Sequence, residues 1–302
     1  MKKYTLIAFC FVLISLSAFA QKEDVFKFHD NKPGPIELYN VRINNKIKAT
    51  VRIFSARTVM IIDSSFFEKN KALLNVHTSD EKDTSMACIG IYDDGPFMKG
   101  AVKLGNYTVC KGNIEVRNLK DCDIAIPLYN FKIEGKEDST LVSVNMLKRE
   151  IRVTGTNTFS NNSKYKCFDF SMPYMSDPIL NVPIRFFNRD MHSAELNGTV
   201  ELNFLADIFL YIYMSSPKAR EFYYANYKLF NMGNAIYPST KKIGGQGFYA
   251  VTSYVGDVCS SKCPVVVYGK GLPRKVDGTL GRRFFKQHHV VFDYGANKVY
   301  IK

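Results

Sequence analysis

Few residues in this chain stand in patterns that do chemistry. Two aspartates follow apolar runs: Asp63 in Ile61-Ile62-Asp63-Ser64-Ser65, and Asp207 in Phe204-Leu205-Ala206-Asp207-Ile208-Phe209. Ser64 and Ser65 are types that cap a helix, so Asp63 reads locally as a capping or surface carboxylate. Asp207 reads as a half-exposed Asp beside an apolar strand. His288 and His289 are adjacent, so on a strand they face opposite sides and cannot chelate one ion. Asp93-Asp94-Gly95 is an acidic pair in a turn rather than a calcium loop. Gly244-Gly245-Gln246-Gly247 lacks the strand–helix context of a nucleotide site and reads as a turn. There is no Gly-x-Ser-x-Gly elbow, no His-Glu-x-x-His and no P-loop. No metal or cofactor is implied.

The N-terminus sets the expected compartment. Lys2 and Lys3 precede an apolar run from Thr5 to Ser17, and Ala18-Phe19-Ala20 follows in a small-x-small pattern. Residues 1–20 read as a cleaved signal peptide, with Gln21 first in the exported chain. The run is short for a membrane helix of roughly 20 apolar residues, so no stable membrane insertion is expected after cleavage. Seven cysteines less Cys10 leave Cys88, Cys110, Cys122, Cys167, Cys259 and Cys263. An even count in an exported chain suggests disulfides, with free buried thiols as the alternative. Cys259 and Cys263 are the one pair close enough in sequence for a local staple. No His lies near them, which argues against zinc.

The 302 residues carry 41 Lys+Arg against 28 Asp+Glu, a charge of +13. Removing Lys2 and Lys3 leaves 13 − 2 = +11. The charge is dispersed, with small groups at Lys241-Lys242 and Arg282-Arg283, and no nucleic-acid motif accompanies it. A weak attraction to anionic glycans, lipids or acidic peptides remains open. Hydrophobic residues at 46% and aromatics at 14% exclude a disordered chain.

The elements that would position these residues are mostly strands. Short β-rich runs include Val41–Ile43, Val51–Phe54, Val59–Ile62, Ile114–Val116, Cys263–Tyr268 and Val290–Phe292, with Gly, Asn and Asp between them. Two short helices are predicted, over Ser64–Lys71 and Ser216–Tyr227, the second with Ser216 as N-cap and Pro217 at its first position. Landmarks repeat in one order. Ile61 onward matches Ile212 onward at an offset of 151, and Leu104-Gly105-Asn106 matches Val255-Gly256-Asp257 at the same offset. Ile114-Glu115-Val116 falls on Val265-Val266-Val267, and Asp138-Ser-Thr-Leu141 pairs with Asp277-Gly-Thr-Leu280. The expected organisation is a signal peptide over 1–20 and an N-terminal linker over 21–34. One lobe follows over 35–156, a linker over 157–175, and a second, homologous lobe over 176–302.

The closing run from Val276-Asp-Gly-Thr-Leu-Gly281 through Phe285 and Asp293 to Tyr300 resembles the end of the pepsin/retropepsin-like aspartic proteases, most of all their two-lobed exported bacterial members. Cys88-Ile-Gly90 to Val116 and Ile243 to Val267 resemble that family's flap and following strands. The resemblance implies an all-β fold of two barrel-like lobes around a cleft, with short helices. It makes Gly90, Asp93, Asp94, Gly244, Gly245 and Gly247 flap candidates. It also implies one Asp per lobe in an apolar-apolar-Asp-Thr/Ser-Gly loop, the two carboxylates sharing a proton around a water. In the first lobe that position falls on Phe54-Ser55-Ala56, and Phe54 carries no proton. Asp63 is the shifted alternative. In the second lobe Asp207 is the candidate, with Ile208-Phe209 in place of Thr-Gly. The resulting expectation is a protease-like protein without its catalytic pair, holding an extended peptide or another ligand in the cleft. The alternatives are an active endopeptidase with unusual loops, using Asp63 and Asp207, and a structural component of the cell envelope.

Overall fold

The computed structural model describes residues 22–29, 36–78, 98–155, 159–160, 162–228, 246–268 and 275–302. The proposed signal peptide, Cys88 and the flap candidates Gly90, Asp93, Asp94, Gly244 and Gly245 lie outside them.

Six antiparallel strands form a central sheet. Glu23–His29 pairs with Glu150–Thr154, and that strand with Leu141–Asn145. Leu141–Asn145 pairs with Val290–Asp293, then Lys298–Ile301 and Lys166–Ser171 complete the order. Each half of the chain supplies three strands, and the halves join where Val142 opposes Phe292. Two of these strands occupy stretches expected to be linkers, 21–34 and 157–175. Alternation explains the first, since Asp24, Phe26 and Phe28 are buried between exposed neighbours. In the second, Phe170 is buried and packs edge-on against Phe292 at 6.4 Å.

Beyond this sheet one pairing pattern occurs twice. In the first half, Val51–Phe54 runs parallel to Ile124–Pro127. Met60–Asp63 is antiparallel to that strand and parallel to Thr108–Arg117. In the second half, Ser193–Leu202 runs parallel to Gly278–Leu280. Leu210–Tyr213 is antiparallel to that strand and parallel to Val258–Tyr268. The chain is therefore an all-β protein of two homologous lobes. Fully buried Phe204, Phe209, Phe284 and Phe285 fill the core of the second lobe, in edge-on pairs about 6 Å apart.

Among the described residues three short α-helices decorate the sheets: α1 over Ser64–Asn70, α2 over Pro217–Asn226 and α3 over Arg282–Phe285. α2 starts as its sequence dictates, with Ser216 as cap and Pro217 in the first turn. α1 does not: its N-cap is Asp63 rather than Ser64 or Ser65. No described helix is long and apolar enough to cross a membrane.

The local cysteine staple does not form. Cys259 and Cys263 lie four residues apart on the strand Val258–Tyr268, and both are free thiols. At about 3.3 Å per residue such a pair spans roughly 13 Å, well beyond disulfide reach. Burial pushes the Cys263 thiol up to about 11. Cys110, Cys122 and Cys167 are also free among the described residues.

Candidate functional site

The two loops that leave the paired strands define the site. In the first lobe Ile53 opposes Ile126 and Ile61 opposes Ala125. In the second, Leu202 opposes Leu280 and Tyr211 opposes Thr279. Ile53 thus corresponds to Leu202, and the residues that follow them are Phe54 and Asn203. The offset between lobes is 149 before the loop and 150 after it, then 151 at Ile114 and Val265, which oppose Met60 and Leu210. The second loop is one residue longer. Asp207 therefore lies inside the loop and does not correspond to Phe54.

Phe54 is half-buried. It packs with Leu119 and Tyr174 over Val59, Ile61 and Ala125, a small apolar cluster separate from the main core. Ser55 behind it is buried. The loop is tied to the segment that enters the second lobe. Arg57 N donates to Ser176 O at 2.8 Å, and Met175 N donates to Arg57 O at 2.8 Å. The Arg57 guanidinium donates to Met172 O and lies 5.0 Å over the Tyr129 ring.

Asn203 uses its amide to fold its own loop. Its backbone N donates to Leu280 O at 2.9 Å. Its Oδ1 accepts from Leu205 N at 2.9 Å and from Ala206 N at 3.3 Å, an Asx turn. Its Nδ2 donates to Oδ2 of buried Asp177 at 2.9 Å. Gly281 N, Arg282 N and Arg283 N donate to Phe209 O, Ala206 O and Ile208 O. The buried Arg282 side chain donates to Phe204 O. Behind the loop the Tyr294 hydroxyl is pushed far up by burial and by the Asp177 charge.

Asp63 is remote from this arrangement in role. Its carboxylate accepts from Ser65 Oγ at 2.5 Å, Leu119 N at 2.9 Å and Phe66 N at 3.1 Å. These bonds hold its pKa at about 2. A carboxylate so engaged stays ionised and serves as a cap. Asp207 is partly exposed in its loop, between Ala206 and buried Ile208 and Phe209. Gly247 is not in a turn: it opposes Val266 within the strand Gln246–Val255. His288 and His289 meet different partners, Ser260 Oγ and Tyr165 Oη, each at 2.7 Å.

This architecture matches solved structures along nearly the whole chain. An aspartic proteinase from Irpex lacteus superposes with a TM-score of 0.54 at 10% identity, covering 93% of this chain and 97% of that one. The fold is pepsin-like. Basic 7S globulin from soybean gives a TM-score of 0.56 at 10% identity, over 93% and 95% of the two chains. The protein edgp gives 0.53 at 11% identity, over 94% and 95%. No family model matches the chain, and no curated protein sequence does. Phe54, the first-lobe position where the resemblance expects an aspartate, has Asn203 as its counterpart by strand register in the second lobe. Sequence reading missed Asn203. The signal was present, since Val200-Glu201-Leu202-Asn203 ends in the amide counterpart of Asp after an apolar residue, but Asp207 drew attention four residues on.

Proposed function

We propose that this is an exported, pepsin-like protein that binds an extended peptide between its lobes without cleaving it. The pair Phe54 and Asn203 carries the reading. The shared-proton mechanism needs two carboxylates on one water, and a phenyl ring and an amide offer none. Asp177 beside Asn203 is a single carboxylate. A lone one cannot act as both acid and base on the same peptide carbonyl. Binding survives the loss, because an extended peptide is held mainly by backbone hydrogen bonds, with side-chain pockets for specificity. Phe54, Tyr174 and Leu119 would supply an apolar contact at the floor. The lobes in this reading are residues 35–156 and 176–302, supplemented by the strands Glu23–His29 and Lys166–Ser171.

The test is equilibrium binding of fluorescein-labelled extended peptides, rich in Leu, Phe and Val, to residues 21–302. Saturable binding without product peptides is expected, and Phe54→Asp weakens it about tenfold, the effect of removing one buried aromatic anchor. Equal affinity in the variant sinks the assignment of Phe54 to the ligand floor. The second reading, a structural part of the cell envelope, is favoured by Tyr174, which this chain itself packs beside Phe54. Under that reading no peptide binds the wild type, while Tyr174→Ala lowers its stability.

A further inference from the structure

The central sheet has a face that the proposed peptide function leaves unused. Its register puts Glu23, Arg152, Ser143 and Val291 on that face, with Asn145 and His289 on the neighbouring row. Phe159 and Tyr165 pack over part of it, against Leu141, Val291 and Tyr300. Beside them the surface sinks into a cavity of about 600 Å³, lined by Lys148, Arg152, Lys302, His289, Tyr165 and Phe159 together with Glu23 and Glu150. That volume suits a small organic ligand.

The charges inside are uneven. Arg152 donates to Glu23 at 2.5 Å and lies 3.7 Å from Glu150, whose other oxygen takes Lys27 at 2.8 Å. Both carboxylates are thus engaged. Lys148 and Lys302 form no ion pair among the described residues, and the lining side chains set three cations against two carboxylates. Tyr165 Oη and His289 Nδ1 lie 2.7 Å apart, which fixes the imidazole ring at the wall. The ring of Phe159 stands 6.3 Å from that imidazole and 5.1 Å from Tyr165, edge-on to both. Cations on one side and aromatic faces on the other match a ligand with an anionic head and an aromatic body.

We propose that this cavity is a second binding site, for an aromatic phosphate or sulfate ester. Lys148, Lys302 and Arg152 would hold the oxyanion, and Phe159 and Tyr165 the ring. His289 couples the site to pH. Burial, then Lys148, Arg152 and Lys302, hold its pKa below the ordinary histidine value, with Glu150 opposing them. It is neutral at pH 7 in the empty site. A bound oxyanion offsets the surrounding cations and favours the imidazolium, so affinity rises as pH falls.

Phenyl phosphate and phenyl sulfate are titrated calorimetrically into residues 21–302 at about pH 7, and phenyl sulfate again at about pH 5.5, where its own charge is unchanged. Saturable one-to-one binding is expected, about three-fold or more tighter at the lower pH. The double variant Lys148→Ala/Lys302→Ala, both exposed, is expected to lose about ten-fold in affinity, and His289→Gln to lose the pH response. A preference for phenyl phosphate at pH 7 assigns the site to phosphate esters, and the reverse to sulfate esters. No saturable binding, or binding that the double variant leaves intact, overturns the proposal. Since the cavity is lined by none of the residues that pack with Phe54, either outcome is independent of the peptide test.

Discussion

Asp24→Ala is expected to lower the stability of the fold by about 3–5 kcal/mol, the scale of leaving several donors without their acceptor at roughly 1–3 kcal/mol for each buried one. Asp24 sits on the first strand of the central sheet and is 8% exposed. Its Oδ1 accepts from Asn106 N at 3.1 Å. Its Oδ2 accepts from Tyr107 N at 2.8 Å, Thr108 N at 2.6 Å and Thr108 Oγ1 at 2.7 Å. One carboxylate thus organises the turn between the strands Met98–Lys103 and Thr108–Arg117 and ties it to the central sheet. Alanine leaves four donors, those of Thr108 fully buried, without their acceptor. The same crowding explains Gly105, where a Cβ would stand 2.6 Å from the Asp24 carboxylate. Urea denaturation measures the effect. A loss under about 1 kcal/mol, the scale of an ordinary surface change, would show that the turn is held by something else.

Gly281→Val is expected to cost about 3 kcal/mol or more, or to prevent folding, because backbone rather than a pliable side chain must move. Added at Gly281, a Cβ would lie 2.4 Å from Ile208 O and 2.5 Å from Ala206 O. The residue therefore presses against the loop that Asn203 begins. Its N–H also donates to Phe209 O at 2.9 Å, so the loop is clamped on two sides. The loop held in this way begins at an amide, Asn203, whose Oδ1 accepts from Leu205 N and Ala206 N. Circular dichroism melting of the variant measures the loss. A wild-type midpoint would mean that the loop shifts freely, and that the backbone around Asn203 is not held in place by Gly281.

How legible the protein was depends on the range of each interaction. The helix at Pro217 was legible because its cap and its first-turn proline are adjacent in sequence. The turn at Asp293–Asn297 is equally local, since Ala296 N donates to Asp293 Oδ1. The strands Glu23–His29 and Lys166–Ser171 read as linkers because their partners in the central sheet lie over a hundred residues away. Asn203, the register counterpart of Phe54, was hidden by a one-residue difference in loop length, which moved the repeat offset. Tyr174 and Asp177 gave no local signal at all: one matters by packing beside Phe54, the other by accepting from Asn203. The cysteines misled for a related reason. Their even number suits an exported disulfide protein, yet Cys110 and Cys263 are fully buried in strands as small apolar residues.

A pepsin-like scaffold that lacks a catalytic pair, as proposed, leaves peptide bonds intact, and hydrolysis is the property to measure. Purified residues 21–302 are incubated with denatured casein from about pH 3 to about pH 7, the products are followed by mass spectrometry, and Asp207→Asn and Asp177→Asn are run in parallel. No cleavage is expected at any pH. Cleavage that either substitution abolishes would contradict the proposal, and would place a working carboxylate in the loop that Asn203 begins (Asp207) or hydrogen-bonded to it (Asp177).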